Sequence, residues 1–368
     1  MIKIKILYKF IAKHYIFISI FCFSIPLIWY SINYIFGKGF GMISYMSTSF
    51  AVNYFDYGFV KRGLIGTILS WIPGEKYVLI ALNFSIFIFL VIIFVFSRLI
   101  EKVDDVNLAD FLKVTLAISP FTSFQFGYEI GRLDSYNILL MISVLYFVQN
   151  QKWFLVLILS LCGLLLHESF ATYALPLILS SIFTYRSEKF SFKKHTKFIY
   201  LVIYLLCSFF VAFLITKYGN SDLVVKRAPG DGQEAWARPL IQQGFLKLGL
   251  FNLTVTFSLI AVVYFFLFKF YQSNNSRPDL FFLAAFAPLS LFFLGWDFAR
   301  WVGLIVITVI TIVFIKGLFN KWRLTYQLLL YAGFVFLLPF GPIGFFGVFP
   351  MFRSALEFLS KIVKFTNF

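Results

Sequence analysis

Apolar runs close to twenty residues long recur from one end of this chain to the other, separated by short polar connectors. A hydrocarbon core about 30 Å thick needs roughly 20 apolar residues per helix. The runs fall at His14–Phe36, Tyr77–Phe96, Leu108–Phe124, Tyr136–Val148, Phe154–Leu166, Phe170–Tyr185, Phe198–Thr216, Leu248–Phe270, Leu280–Leu294, Val302–Ile315 and Leu324–Phe340. The pattern predicts an all-α polytopic membrane protein of about eleven spans (10–12), a single integral membrane domain over 1–368 with no soluble domain. The first run is too long for a signal-peptide core and holds Pro26, Trp29 and Tyr30, so it reads as a retained span. Beyond Gly341 the chain is broken by Gly and Pro and ends in a basic amphipathic stretch, Phe352–Phe368, which fits a twelfth span or an interfacial helix.

Composition supports this reading. Of 368 residues, 61% are hydrophobic and 13% charged, which excludes a cytosolic enzyme, a disulfide scaffold or a disordered tail. The net charge of +16 does not point to nucleic acid, because Lys and Arg sit in the connectors rather than on one amphipathic face. Cys22, Cys162 and Cys207 each lie inside an apolar run without paired spacing, so free buried thiols are expected.

Connector charge sets the orientation. Lys3, Lys5, Lys9 and Lys13 stand without an acidic neighbour and place the first residues in the cytoplasm. Alternation then brings the cluster Arg186, Lys189, Lys193, Lys194 and Lys197 to the same side, as the positive-inside rule requires, along with Lys316, Lys321 and Arg323 as basic anchors. The outward loops are about 37–76, 125–135, 167–169, 217–247 and 295–301.

All five outward loops carry mixed acid–base clusters, a feature the topology argument did not use. They hold Asp56 with Lys61 and Arg62; Glu129 with Arg132 and Asp134; His167 with Glu168; the polar loop Lys217–Lys247, which includes Arg238; and Asp297 with Arg300. Each has a purely structural alternative. Asp56 or Asp134 could cap a helix, His167-Glu168 could close a hairpin, and Asp297 and Arg300, three apart, could pair on one helix face. Ionisable residues at membrane level are a functional signal, and five clusters on one side suggest one polar site at the outer face.

A carboxylate can deprotonate an attacking hydroxyl, and arginines can neutralise a phosphate leaving group through bidentate bonds. That chemistry suits glycosyl transfer from a lipid-phosphate sugar: nucleotide sugars are cytoplasmic, and no P-loop or Gly-rich dinucleotide motif occurs. Asp56 is the first candidate base, with Glu129 or Asp134 as the second. Arg62, Arg132 and Arg300 would meet the phosphate, Lys61 and Arg238 are further substrate-binding candidates, and His167, Glu168 and Asp297 would orient sugar hydroxyls or those arginines. No cofactor is expected; four carboxylates leave a divalent metal open, though no ligand spacing requires one.

Asp56 in the first outward loop, Gly131-Arg132-Leu133-Asp134 opening the fourth span and the His167-Glu168 pair resemble the pattern of the GT-C superfamily of polytopic glycosyltransferases. The resemblance covers about the first 185 residues by motif and the rest by topology. It implies a polyprenyl-(di)phosphate sugar donor, and within the superfamily the chain looks most like bacterial O-antigen or capsule polymerases of the Wzy type, with serotype-converting glycosyltransferases also similar. Arg238 and Gly249 match the R-x10-G spacing of some polymerases. The large outward loop with a His found in ligase-like polymerases is missing; His195 falls in a cytoplasmic connector. The resemblance implies a bacterial inner-membrane location, a lipid-linked glycan and membrane lipid as partners, and other polysaccharide-assembly proteins beside it. A flippase for the lipid-linked oligosaccharide is the rival from another class, and a structural or assembly subunit is a third reading.

Overall fold

A computed structural model describes residues 2–35, 50, 52–57, 63–71, 77–167, 169–184, 210, 240–293, 298–336, 340–342 and 348–350. The described chain is all-helical apart from a short antiparallel pairing of β1 (Phe340–Pro342) with β2 (Val348–Pro350). The helices are α1 (Ile2–Lys13), α2 (Tyr15–Ile35), α3 (Tyr54–Tyr57), α4 (Leu64–Ile68), α5 (Tyr77–Ile100), α6 (Val106–Ile118), α7 (Ser123–Tyr128), α8 (Asp134–Gln149), α9 (Trp153–Leu166), α10 (Phe170–Thr184), α11 (Leu240–Ser273), α12 (Leu280–Ala284), α13 (Phe298–Asn320) and α14 (Tyr326–Phe336). Among the described residues, three stretches are long and apolar enough to cross a membrane: Val78–Ile100, Thr254–Ser273 and Arg300–Asn320. A fourth is reached if α1 and α2, bent by 84° at their junction, are taken as one. The apolar run Phe198–Thr216 and the segment Phe352–Phe368 lie outside the described residues, except for residue 210.

Among the described residues the other apolar runs are largely helical, although Leu324 precedes α14 and Phe340 belongs to β1, and two runs are divided. The run Leu108–Phe124 ends as α6 at Ile118, because Pro120 removes a backbone donor and holds Ser119 extended. The Leu116 carbonyl this frees is bonded by hydroxyls: Thr122 Oγ1 donates to it at 3.0 Å, and Ser123 Oγ donates to it as well. The run Leu280–Leu294 becomes α12 followed by a 3₁₀ stretch, Ala287–Phe293, that contains Pro288.

α13 is the central helix. Its apolar window is 89% buried, against 28% for α5, which has one wide face turned outward. Val302, Ile305, Val309, Ile312 and Val313 are all fully enclosed, and together with Leu108, Phe111, Phe266 and Phe270 they make one continuous core. Helices pack closely where glycine allows it: at Gly127 of α7 an added Cβ would sit inside van der Waals distance of the Phe23 carbonyl of α2.

Described connectors gather at two ends of the bundle. At one end Asp105 caps α6 through Leu108 N–H (2.8 Å) and also accepts from Leu324 N–H (3.1 Å). Asn274 exchanges two hydrogen bonds with the Arg323 backbone. A cavity of about 710 Å³ at this end is lined by Lys102 and Asn150, from the turns after α5 and α8, together with Gln149, Thr184, Lys316 and Asn320 from α8, α10 and α13. The opposite end holds the starts of α8, α10 and α13.

Lys316 departs from the expectation of a plain basic anchor. It is 4% exposed, and its ammonium pairs with Asp279 and faces the rings of Tyr271, Phe281 and Trp322 at 4.9–5.6 Å. Asp279 also caps α12 and accepts from the Tyr271 hydroxyl at 2.7 Å. Burial pushes the Asp279 carboxyl up, but its bonds from Lys316 and Tyr271 outweigh this and hold it below the usual carboxylate range. Lys316 therefore ties α11, α12 and α13 together at this end.

Candidate functional site

The turn between α7 and α8 is built from Glu129 to Leu133. Gly131 has φ 91°, a left-handed conformation that disfavours any side chain, and its N–H donates to Ser85 Oγ of α5 at 3.1 Å. Ile130 and Leu133 are buried on either side and clamp the turn. Asp134 thus enters as the first residue of α8, but its carboxylate does not cap that helix; the capping position is Leu133, which has no side-chain bond to offer.

Asp134 instead faces Arg300 of α13, 166 residues away. Arg300 Nη2 donates to Asp134 Oδ1 at 2.9 Å and Arg300 Nε pairs with Oδ2, a side-on bidentate arrangement. Arg300 Nη2 also lies 2.8 Å from His167 Nε2, which must accept there because a guanidinium only donates. Ser169 Oγ donates to Asp134 Oδ1 at 3.1 Å. Asn137 Nδ2 donates to the His167 carbonyl, fixing the α9–α10 break against α8. That break is tight because Gly163 leaves room for the Phe170 ring. Asp134, His167 and Arg300 are 4%, 5% and 8% exposed, so the cluster is enclosed by the bundle rather than spread over a surface.

Of the residues singled out from the sequence, Asp134, His167 and Arg300 are brought together directly. Arg132, half-buried two residues before Asp134, is close enough for its charge to act on that carboxylate. Glu129 accepts from Gln125 Nε2 at 3.3 Å, and the Gln125 amide packs on Gly303, one turn along α13 from Arg300. Asp56 lies in the four-residue α3. Lys61, Arg62, Glu168, Arg238 and Asp297 fall outside the described residues, and so does the expected Asp297–Arg300 pairing.

Three participants were missed by sequence reasoning: Ser169, Asn137 and Tyr173. Asn137 is an amide near the start of an apolar run, and Ser169 directly follows His167-Glu168; both were visible as polar interruptions. Tyr173 is fully buried one turn beyond Phe170 and feels the charges of Asp134 and Arg300, yet its hydroxyl has no hydrogen-bond partner among the described residues. Leaving a buried donor unpaired costs about 1–3 kcal/mol, so Tyr173→Phe is expected to leave the melting temperature unchanged or raise it. A clear drop on thermal unfolding in detergent would show that the hydroxyl is bonded after all. Among the described residues, no three His, Cys, Asp or Glu side chains come together as a metal site would require.

No protein-family profile, no curated protein and no solved structure matches this chain.

Proposed function

We propose that this chain is an integral membrane glycosyltransferase that uses a polyprenyl-(di)phosphate-linked sugar or oligosaccharide at the outer face of a bacterial inner membrane, in surface-polysaccharide (O-antigen) biosynthesis and most specifically in polymerisation. The carrying observation is that Asp134, His167 and Arg300, drawn from three separate outward connectors, converge in one buried network. Arg132 and Glu129 stand at its edge.

In this reading the acceptor hydroxyl attacks the anomeric carbon as the bond from that carbon to the phosphate oxygen breaks. The hydroxyl proton passes to a carboxylate, and the lipid (di)phosphate leaves with the bonding electrons. Asp56 is the base. Asp134 is sealed between Arg300 and Ser169, so it serves as the countercharge that aims Arg300, and His167 holds the same guanidinium from the other side. Arg62, Arg132 and Arg300 answer the charge that grows on the leaving phosphate. Inversion at the anomeric carbon follows from a single displacement.

Burial of the cluster also favours a second reading, a transporter or flippase for the lipid-linked glycan, since ionisable groups enclosed by membrane helices commonly line a pathway. The two readings separate in a deletion strain complemented with wild type, Asp56→Asn or Arg132→Ala at equal membrane levels. The transferase predicts that wild type restores the polysaccharide ladder on gels and neither variant does, with undecorated lipid-linked units still reaching the outer leaflet. An unchanged ladder with altered side-branch reactivity would mark a single-sugar transferase. Rescue by both variants would overturn the outer-face site.

A further inference from the structure

The segment preceding the first apolar run forms a helix that the functional reading leaves unused. α1 runs from Ile2 to Lys13 and meets α2 at an angle of 84°. Twelve residues at 1.5 Å each make a rod of about 18 Å, too short to cross a bilayer, and the bend prevents it from extending α2 along the same axis.

Its sides are differentiated. Ala12 is buried, Ile11 packs on the core, and the Tyr8 hydroxyl is enclosed. Where α1 meets α2, the hydroxyl of Tyr15, the first residue of α2, bonds Ser97 at the end of α5, which places that junction at the same end of the bundle as Lys316. Away from the bundle, Ile6, Leu7 and Phe10 are 64%, 58% and 56% exposed. Positions 6, 7 and 10 share one face of a helix, and exposed Lys9 and Lys13 border it. The sequence of α1 adds Lys3 and Lys5 and contains no acidic residue. Facing it from α6 are Asp110, beside which the charge of Lys9 lies, and Lys113, whose ammonium sits over the Tyr15 ring. Glu101, whose charge reaches the Tyr15 hydroxyl and which pairs with Arg98, is the second carboxylate nearby, and the surface is still net basic.

We infer that α1 is an interfacial helix that binds anionic phospholipid headgroups of the leaflet at the Lys316 end, with Ile6, Leu7 and Phe10 at the acyl boundary and Lys9 and Lys13 on the phosphates. A lipid surface is the occupant that matches both halves of this face, because apolar insertion and basic charge act together at an anionic interface. A zwitterionic surface satisfies only the apolar half. The inference does not depend on what the Asp134 cluster does.

Hydrogen–deuterium exchange of the full chain in nanodiscs tests it, with phosphatidylcholine alone compared to phosphatidylcholine containing phosphatidylglycerol. The amides of α1 are expected to exchange more slowly in the anionic discs, by roughly fivefold per lysine engaged. A Lys9→Gln/Lys13→Gln variant should lose that difference while exchange in α13 stays as in wild type, which reports an intact bundle. Equal α1 protection in both lipids would overturn the inference. So would an anionic-lipid effect that survives in the variant or slows α13 equally.

Discussion

Replacing Asp134 by alanine is expected to destabilise the protein by about 3–5 kcal/mol, the usual consequence of removing one member of a buried ion pair. The remaining Arg300 would keep its charge inside the bundle, 8% exposed, with two of its nitrogens turned toward the vacated space. His167 offers it only a neutral acceptor. Ser169 loses its acceptor in the same step. Arg300→Ala is expected to cost a similar amount, because it leaves the Asp134 carboxylate with Ser169 as its remaining direct donor among the hydrogen bonds above. Thermal unfolding in detergent would show both variants melting well below wild type. Melting within a degree or two of wild type would mean that the pair is solvated and contributes little, as exposed pairs do.

Gly127→Val carries the second large effect. The neighbour that a Cβ would meet is not a pliant side chain but the Phe23 backbone, carbonyl oxygen included. α2 could make room only by moving away from α7. Phe23 stacks on Phe89 of α5 with ring centroids 3.9 Å apart, and Phe89 in turn touches Phe126. A shift of α2 would therefore disturb packing against α5 as well. Overpacking of this kind costs typically 1–3 kcal/mol, and a β-branched side chain against a fixed carbonyl belongs at the top of that range or above it. Low folded yield on size exclusion is the expected outcome, with Gly127→Ala intermediate. A normal yield for Gly127→Val would show that α2 and α7 are not in close contact.

Helix positions were largely legible because hydropathy is a property of consecutive residues. The edges of α2, α5, α8, α9, α10 and α14 lie within a few residues of the apolar runs. Pro120 and Pro288 divide two runs by a local rule, yet hydropathy averages over them. What joins distant segments was far less readable. Asp134 and Arg300 are 166 residues apart, and the only partner that spacing proposed for Arg300 was Asp297. Lys316 looked like an anchor because the positive-inside rule sorts lysines by side and says nothing of depth. Its partner Asp279 lies 37 residues earlier, in a connector whose charge drew no attention. The one-sidedness of the acid–base clusters was visible; that three of their members close into a single network was not.

The claim that this network performs chemistry, rather than merely holding three helices, has a direct test in Asp134→Leu/Arg300→Met. Replacing a buried pair by apolar residues of similar volume is often neutral or stabilising. The double variant is therefore expected to melt near wild type and above either single alanine variant. Expressed in the deletion strain at wild-type membrane levels, it should fail to restore the polysaccharide ladder. A double variant that is stable and restores the ladder in full would make the cluster a structural device and contradict the account.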